Sequence, residues 1–304
     1  MKNMIPLMQR EWLQHRFAWA MLVLVPLALA VLPLSFGQLK LEADMTSRSS
    51  PEIAIILGMM SIVATTAVIF LVVWLTSLFI TSTLARRDHG DRSIEFWLSL
   101  PTGHTESLAA PLLVHLVLVP AAALLLGLAG GCAISLLVVT RFVGIGEWFG
   151  LPWGSMLTGM FAMVARVMAG LPLATLWLSP LILLAVLCNA LFKRWGLPVL
   201  AVGLGVGSSV LEYVFGQPLL GEVLARLGRS GGQALAGASG QGLVFDDKTD
   251  PVLAFQGLPA WAANDLLAAL RDAASPAFAG ALGVSALLFA WLVLWRQRSA
   301  SIAS

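Results

Sequence analysis

Charge is scarce in this sequence. Aspartate, glutamate, lysine and arginine together make up 11% of its 304 residues, where soluble domains carry about 25%. With 59% hydrophobic residues and a mean hydropathy of +0.89, that scarcity excludes an ordinary soluble fold and makes the bilayer the solvent. The two cysteines, Cys132 and Cys188, both sit inside apolar runs, where a thiol is a small packed hydrophobe rather than half of a disulfide. The four histidines, His15, His89, His104 and His115, show no paired spacing and have no cysteine beside them, so no metal-ligand pattern is legible.

Other absences narrow the function. The apolar runs hold too few carboxylates or histidines for a proton relay. No nucleophile, base and orienting group can be assembled from the ionisable residues, so the chain does not read as an enzyme. No Gly-x-x-x-x-Gly-Lys-Ser/Thr loop is present, and the glycine cluster Gly203, Gly205 and Gly207 lacks a lysine, so no cofactor is expected in this chain. The net charge of +2 is spread over short connections, which excludes nucleic acid as a partner.

What is present is a series of apolar runs. Residues 1–16 place Met4, Ile5, Met8 and Trp12 on one helical face and Arg10, Glu11 and Gln14 opposite, the pattern of an interfacial helix. Runs at 17–36, 53–84, 108–140, from about 160 to 192, 197–215 and 277–295 follow, and each is read as a span. Ala28, Leu29 and Ala30 resemble a signal cleavage site but lie mid-run, so the first helix is read as uncleaved. Pro111 and Pro120 interrupt the third run and can kink it. Residues 216–276 change texture, mixing glycines, acids and short apolar patches, and are read as an extracytoplasmic or re-entrant segment with a short helix from Pro259 to Ala274 whose apolar residues are Trp261, Leu266 and Leu270.

The expected fold is therefore all-α: one transmembrane domain over 1–304 with six transmembrane helices, an N-terminal interfacial helix and both termini in the cytoplasm. Lys2, Arg10, Arg16, Arg86, Arg87, Arg92, Lys193, Arg194, Arg296 and Arg298 then fall inside, against Lys40, Arg48, Arg141 and Arg166 in the short outer connections. That bias agrees with the positive-inside rule.

Residues 85–107 form the longest polar interruption between apolar runs on the inner side. Asp91 can cap a short helix that Pro101 ends, with Ile94, Trp97 and Leu98 on one side. Thr102 can then start the next helix, with Glu106 near its positive end. By amphipathicity alone such a helix suits the headgroup layer as well as a protein cleft.

The sequence Arg86, Arg87, Gly90, Asp91, Arg92, Ser93, Ile94, Glu95 and then Phe96 to Pro101 resembles the cytoplasmic coupling segment of ABC type-2 exporter permeases. Arg10, Glu11 and Trp12 before the first span and the six-span layout resemble that family more loosely. The family often carries a lysine in the next helix where this chain reads Ala109, Ala110 and Pro111, so no role is carried over there. The resemblance implies a permease subunit of a bacterial-type plasma (inner) membrane that pairs with a second, identical or different, permease subunit amid membrane lipids. ATP and Mg would be bound by separate ATP-binding cassette subunits, contacted here through Asp91, Arg92, Ile94, Glu95, Phe96, Trp97 and Leu98. Readings without an ATPase also stand: an independent transporter or channel, and a membrane scaffold or assembly factor.

The remaining features are weaker. Gly127 with Gly131, and Gly203 with Gly207, are four apart and suit close helix approach within one chain or between two. His115, Glu212 and Arg166 are the ionisable groups in or near the runs, each suited to cargo contact or to a structural role near a helix end. Asp246, Asp247 and Asp250 could gather calcium, but no complete oxygen-ligand loop accompanies them.

Overall fold

A computed structural model describes residues 4–37, 49–90, 104–240 and 251–303, and among these every regular element is helical. The elements are α1 (Met4–Phe36), α2 (Ser50–Gly90), α3 (His104–Leu113), a π-helical turn (Val114–Leu118), α4 (Val119–Phe142), the short α5 (Ile145–Phe149), α6 (Trp153–Phe192), a 3-10 turn (Lys193–Trp195), α7 (Gly196–Tyr213), α8 (Leu219–Leu235), α9 (Pro251–Ala273) and α10 (Pro276–Ala303). Five stretches are long and apolar enough to cross a membrane: Met4–Phe36, Ser50–Leu84, Thr105–Phe142, Trp153–Tyr213 and Pro276–Trp295. The protein is an all-helical multi-pass membrane protein.

That is one stretch fewer than the six expected. The fourth and fifth apolar runs form a single hydrophobic length, Trp153–Tyr213, broken only by the 3-10 turn, where Lys193 takes the left-handed φ of 58°. Gly196 then lies directly against Asn189, so close that no side chain fits between them. The chain therefore turns sharply at this point.

The amino-terminal segment also differs from expectation. Residues 4–36 are one uninterrupted helix rather than an interfacial helix followed by a span. Glu11 of the polar face is turned inward, 2% exposed, while Ile5 and Trp12 of the apolar face are 63% and 47% exposed. In a lipid solvent the polar residue gains by turning inward toward partners, and the apolar ones lose nothing by facing out.

Helices α2 and α4 form the tightest pairing. A Cβ on Gly127 would stand 3.0 Å from the Thr66 Cα, and one on Gly131 2.8 Å from the Ile62 Cα. Later residues of α4 thus meet earlier ones of α2, an antiparallel hairpin drawn together by the small-residue spacing. The pair Gly127 and Gly131 serves contact within this chain. A Cβ on Gly203, by contrast, would find nothing within 4 Å, and one on Gly207 would approach only a Leu220 methyl.

Helix α6 is the hub against which α2, α7, α8, α9 and α10 all pack. At 40 residues it extends about 60 Å, twice a hydrocarbon core of about 30 Å. Its two halves have different company. The Trp177 and Phe278 rings lie 5.0 Å apart, and Leu183, Leu187 and Leu292 share a cluster, so α10 runs beside the second half. The first half is flanked by α9, with Gly159 against Phe255 and Leu258. If α10 crosses the bilayer over its apolar 20 residues, the first half of α6 stands beyond that level.

The described residues of the 216–276 segment accordingly form packed structure. Helix α8 is amphipathic and seats on α6 through Leu227, Gly231 and Ala234. Helix α9 begins at Pro251, so Pro259 lies inside it rather than at its start. Its buried stripe is Phe255, Leu258, Ala262, Asp265 and Ala269, while Leu270 is exposed. Of the three expected apolar residues, Trp261 and Leu266 are half-buried beside the stripe and Leu270 is exposed, because a carboxylate occupies a place in the stripe that hydrophobic patterning assigns to a nonpolar side chain.

Candidate functional site

Between α2, α4, α6 and α9 lies an apolar cavity of ≈ 590 Å³, within the roughly 300–1,000 Å³ typical of ligand sites. Met59 and Phe70 of α2, Leu128 of α4, Met160 and Met163 of α6 and Phe255 of α9 line it. Methionine is unbranched and polarizable, so a wall containing several of them adapts to apolar groups of varied shape. Among the described residues, no charged side chain lines the cavity. A hydrocarbon chain or another apolar body suits it, and a hydrated ion does not.

Behind Leu235 and Ala236 of the cavity wall lies a buried ion pair. Arg166 is 2% exposed and Asp265 0%. The guanidinium donates through Nε to Asp265 Oδ2 at 2.9 Å, with a second nitrogen 2.8 Å from the same oxygen. It also donates to the carbonyls of Ala234 at 2.8 Å and Gln233 at 3.3 Å, which are the otherwise unsatisfied C-terminal carbonyls of α8. Asp265 in turn accepts from the backbone amides of Gly237 at 2.9 Å and Ser239 at 2.7 Å. A side chain on Gly170 would collide with the Ala234 carbonyl and with Arg166, so glycine there lets α8 come close enough for the bond.

Burial pushes the Asp265 carboxyl up, but the Ser239 backbone and side-chain donors, the Gly237 amide and the Arg166 charge outweigh it and hold the group below its ordinary value. The pair therefore stays ionised. The arrangement staples the end of α8 and the middle of α9 to α6. It is a positioning device for the cavity wall, since Leu235 and Ala236 next to it also line the cavity.

The other residues singled out from sequence fall as follows. Asp91, Arg92, Ile94, Glu95, Phe96, Trp97 and Leu98 lie outside the described residues, as do Thr102 and the acidic trio Asp246, Asp247 and Asp250. Helix α3 begins at His104 with Glu106 in its first turn, matching the expected restart after Pro101. Glu212 is exposed at the end of α7. Arg166 belongs to a helix rather than to a connection. The Trp-bearing connection is ordered by Trp148 donating to Ser135 Oγ at 3.2 Å and Trp153 donating to the Trp148 carbonyl at 3.0 Å. Cys132 and Cys188 are free thiols.

His115 is fully buried, and its Nε2 lies 3.2 Å from Glu11 Oε2. His15, one turn along α1 from Glu11, joins them: one ligand-type atom from each of the three lies within 4.8 Å of the others. Histidine-to-histidine and histidine-to-cysteine spacings do not reveal this trio. The Glu11 and His15 spacing of four residues is the signal the sequence carries, since it puts both on one helical face.

Comparison with protein-family models, with curated proteins and with solved structures returns no match.

Proposed function

We propose that this protein is the membrane-spanning subunit of an exporter of the ABC type-2 kind, driven by ATP hydrolysis in separate subunits that grip residues 91–100 from the cytoplasm. One observation supports the reading above others: the α2 and α4 hairpin carries both ends of the device. Helix α2 runs unbroken to Gly90, where the polar segment begins, and α3 leads from His104 through the π turn into α4. The same two helices supply Met59, Val63, Phe70, Leu124 and Leu128 to the cavity wall.

Backbones locked at Gly127 and Gly131 cannot slide freely, so a push on the tip of the hairpin displaces the cavity wall as a rigid body. Differential contact of the Ile94, Trp97 and Leu98 face with open and closed ATPases would bias that displacement. The cargo class that fits is one with an apolar portion, and a sixth pass at Gly196–Tyr213 is part of the reading with both termini inside.

The test is the double substitution Ile94→Ala with Trp97→Ala. The variant is expected to reach the membrane folded, to keep its detergent unfolding temperature, and to lose the ATPase subunit on gentle co-purification. Retained ATPase binding overturns the coupling role. A second reading, an ATPase-independent carrier, is favoured by the cavity alone; flux into vesicles containing no nucleotide hydrolase would establish it, and absence of flux under every condition would leave a scaffold.

A further inference from the structure

We infer that Glu11, His15 and His115 form a binding site for a divalent transition-metal ion of the zinc class, joining α1 to the base of α3. Three separate observations carry this, and none of them depends on transport. The first is the donor set: one carboxylate oxygen and two imidazole nitrogens lie within 4.8 Å of one another, and borderline cations favour such mixed nitrogen and oxygen ligation. In a tetrahedral site with ligand bonds of about 2.0–2.2 Å, ligand atoms stand about 3.4 Å apart. The Glu11 to His115 edge, at 3.2 Å, is already there. His15 is only half-buried, and a swing on the order of 1 Å closes the remaining edges at those bond lengths.

The second observation is the backbone. Glu11 and His15 are presented from one face of α1 by their four-residue spacing. His115 comes from the π turn Val114–Leu118, and π turns inside helices occur mainly at functional sites because each one costs hydrogen-bond geometry. Pro120, which has no amide proton to give the carbonyl four residues earlier, accounts for the turn's location.

The third is unmet hydrogen bonding. His115 Nδ1 and Trp19 Nε1 are both buried with no partner, and their rings are 5.7 Å apart. Two orphaned polar atoms in one cluster point to an absent group. Edge-to-face packing of His15 on His115, at 5.4 Å, explains their contact but gives neither orphan anything to bond. A metal held by His115 Nε2 relieves one of them, because its bound water accepts from the indole N–H of Trp19.

The experiment uses the full chain, purified through a tag without histidine and stripped with chelator, titrated with Zn²⁺ by calorimetry and with Co²⁺ by visible absorption. One saturable site per chain is expected, with a Co²⁺ ligand-field band of low coordination number. His15→Gln and His115→Gln are each expected to weaken it by more than the roughly 10–100-fold that loss of an outer-shell partner costs. His89→Gln with His104→Gln is expected to leave it intact. Absence of a saturable site, or an unchanged affinity in His15→Gln, overturns the inference; because His15 is half-exposed, that variant remains testable where His115→Gln fails to fold.

Discussion

Asp265 is the residue on which the first half of α6 depends. Removing its charge leaves Arg166 buried with only carbonyl partners, and breaking a buried pair by removing one member costs about 3–5 kcal/mol. Asp265→Asn is therefore expected to lower the unfolding temperature of the detergent-solubilised protein by several degrees. An unchanged melting curve would mean that the pair is solvated. The pH dependence has a definite sign. Because the folded carboxyl titrates below its ordinary value of 3.8, its contribution is complete above that value and is lost as pH falls below it toward the lowered folded one. Acid melting curves of the native protein are expected to steepen in that range, and those of Asp265→Asn to flatten there.

At the scale of helices, the glycines divide by what surrounds them. A methyl on Gly131 would press into the Ile62 backbone at 2.8 Å, and backbone cannot yield as a flexible side chain does. Gly131→Ala is expected to destabilise by about 1–3 kcal/mol, the usual range for overpacking, and to loosen the hairpin. Gly203→Ala meets open space and is expected to stabilise α7 by roughly 0.5–1 kcal/mol through helix propensity. Thermal unfolding of the two variants side by side checks both; a loss of stability in Gly203→Ala would show that α7 is covered by another molecule in the assembly.

Most of the helical elements are legible in the sequence because hydropathy and length decide them in lipid. The partners of the buried charges are not. Arg166 and Asp265 are 99 residues apart, and Glu11 and His115 104, so no local period links them. The stripe Phe255, Leu258, Ala262, Asp265 and Ala269 repeats every three or four residues, but its one acid disguises it and makes α9 look shorter than it is. Helix α8 escapes notice because its glycines, Gly221, Gly228, Gly231 and Gly232, resemble a loop until Gly231 is seen packed against Leu178.

Over the whole molecule, the cavity and the hairpin tip are separable by experiment. Met163→Trp fills the cavity without touching residues 91–100. It is expected to reduce binding of an environment-sensitive fatty-acyl probe by about tenfold or more, equivalent to about 1.4 kcal/mol, while leaving ATPase co-purification intact. The double variant at Ile94 and Trp97 is expected to do the reverse. Coincident loss of both properties in either variant would mean misfolding rather than two functions.

The distance between Arg166 and Asp265 along the chain also sets an order of assembly. At about 5–20 residues per second, a ribosome needs about 5–20 s to extend from the arginine to its counter-ion. During that interval the nascent protein carries an unneutralised cation that no later-made segment has yet arrived to quench. Nascent chains that stop short of residue 265 are thus expected to be retained by the insertion machinery or degraded by membrane proteases, which makes completion of the ninth helix a checkpoint in biogenesis.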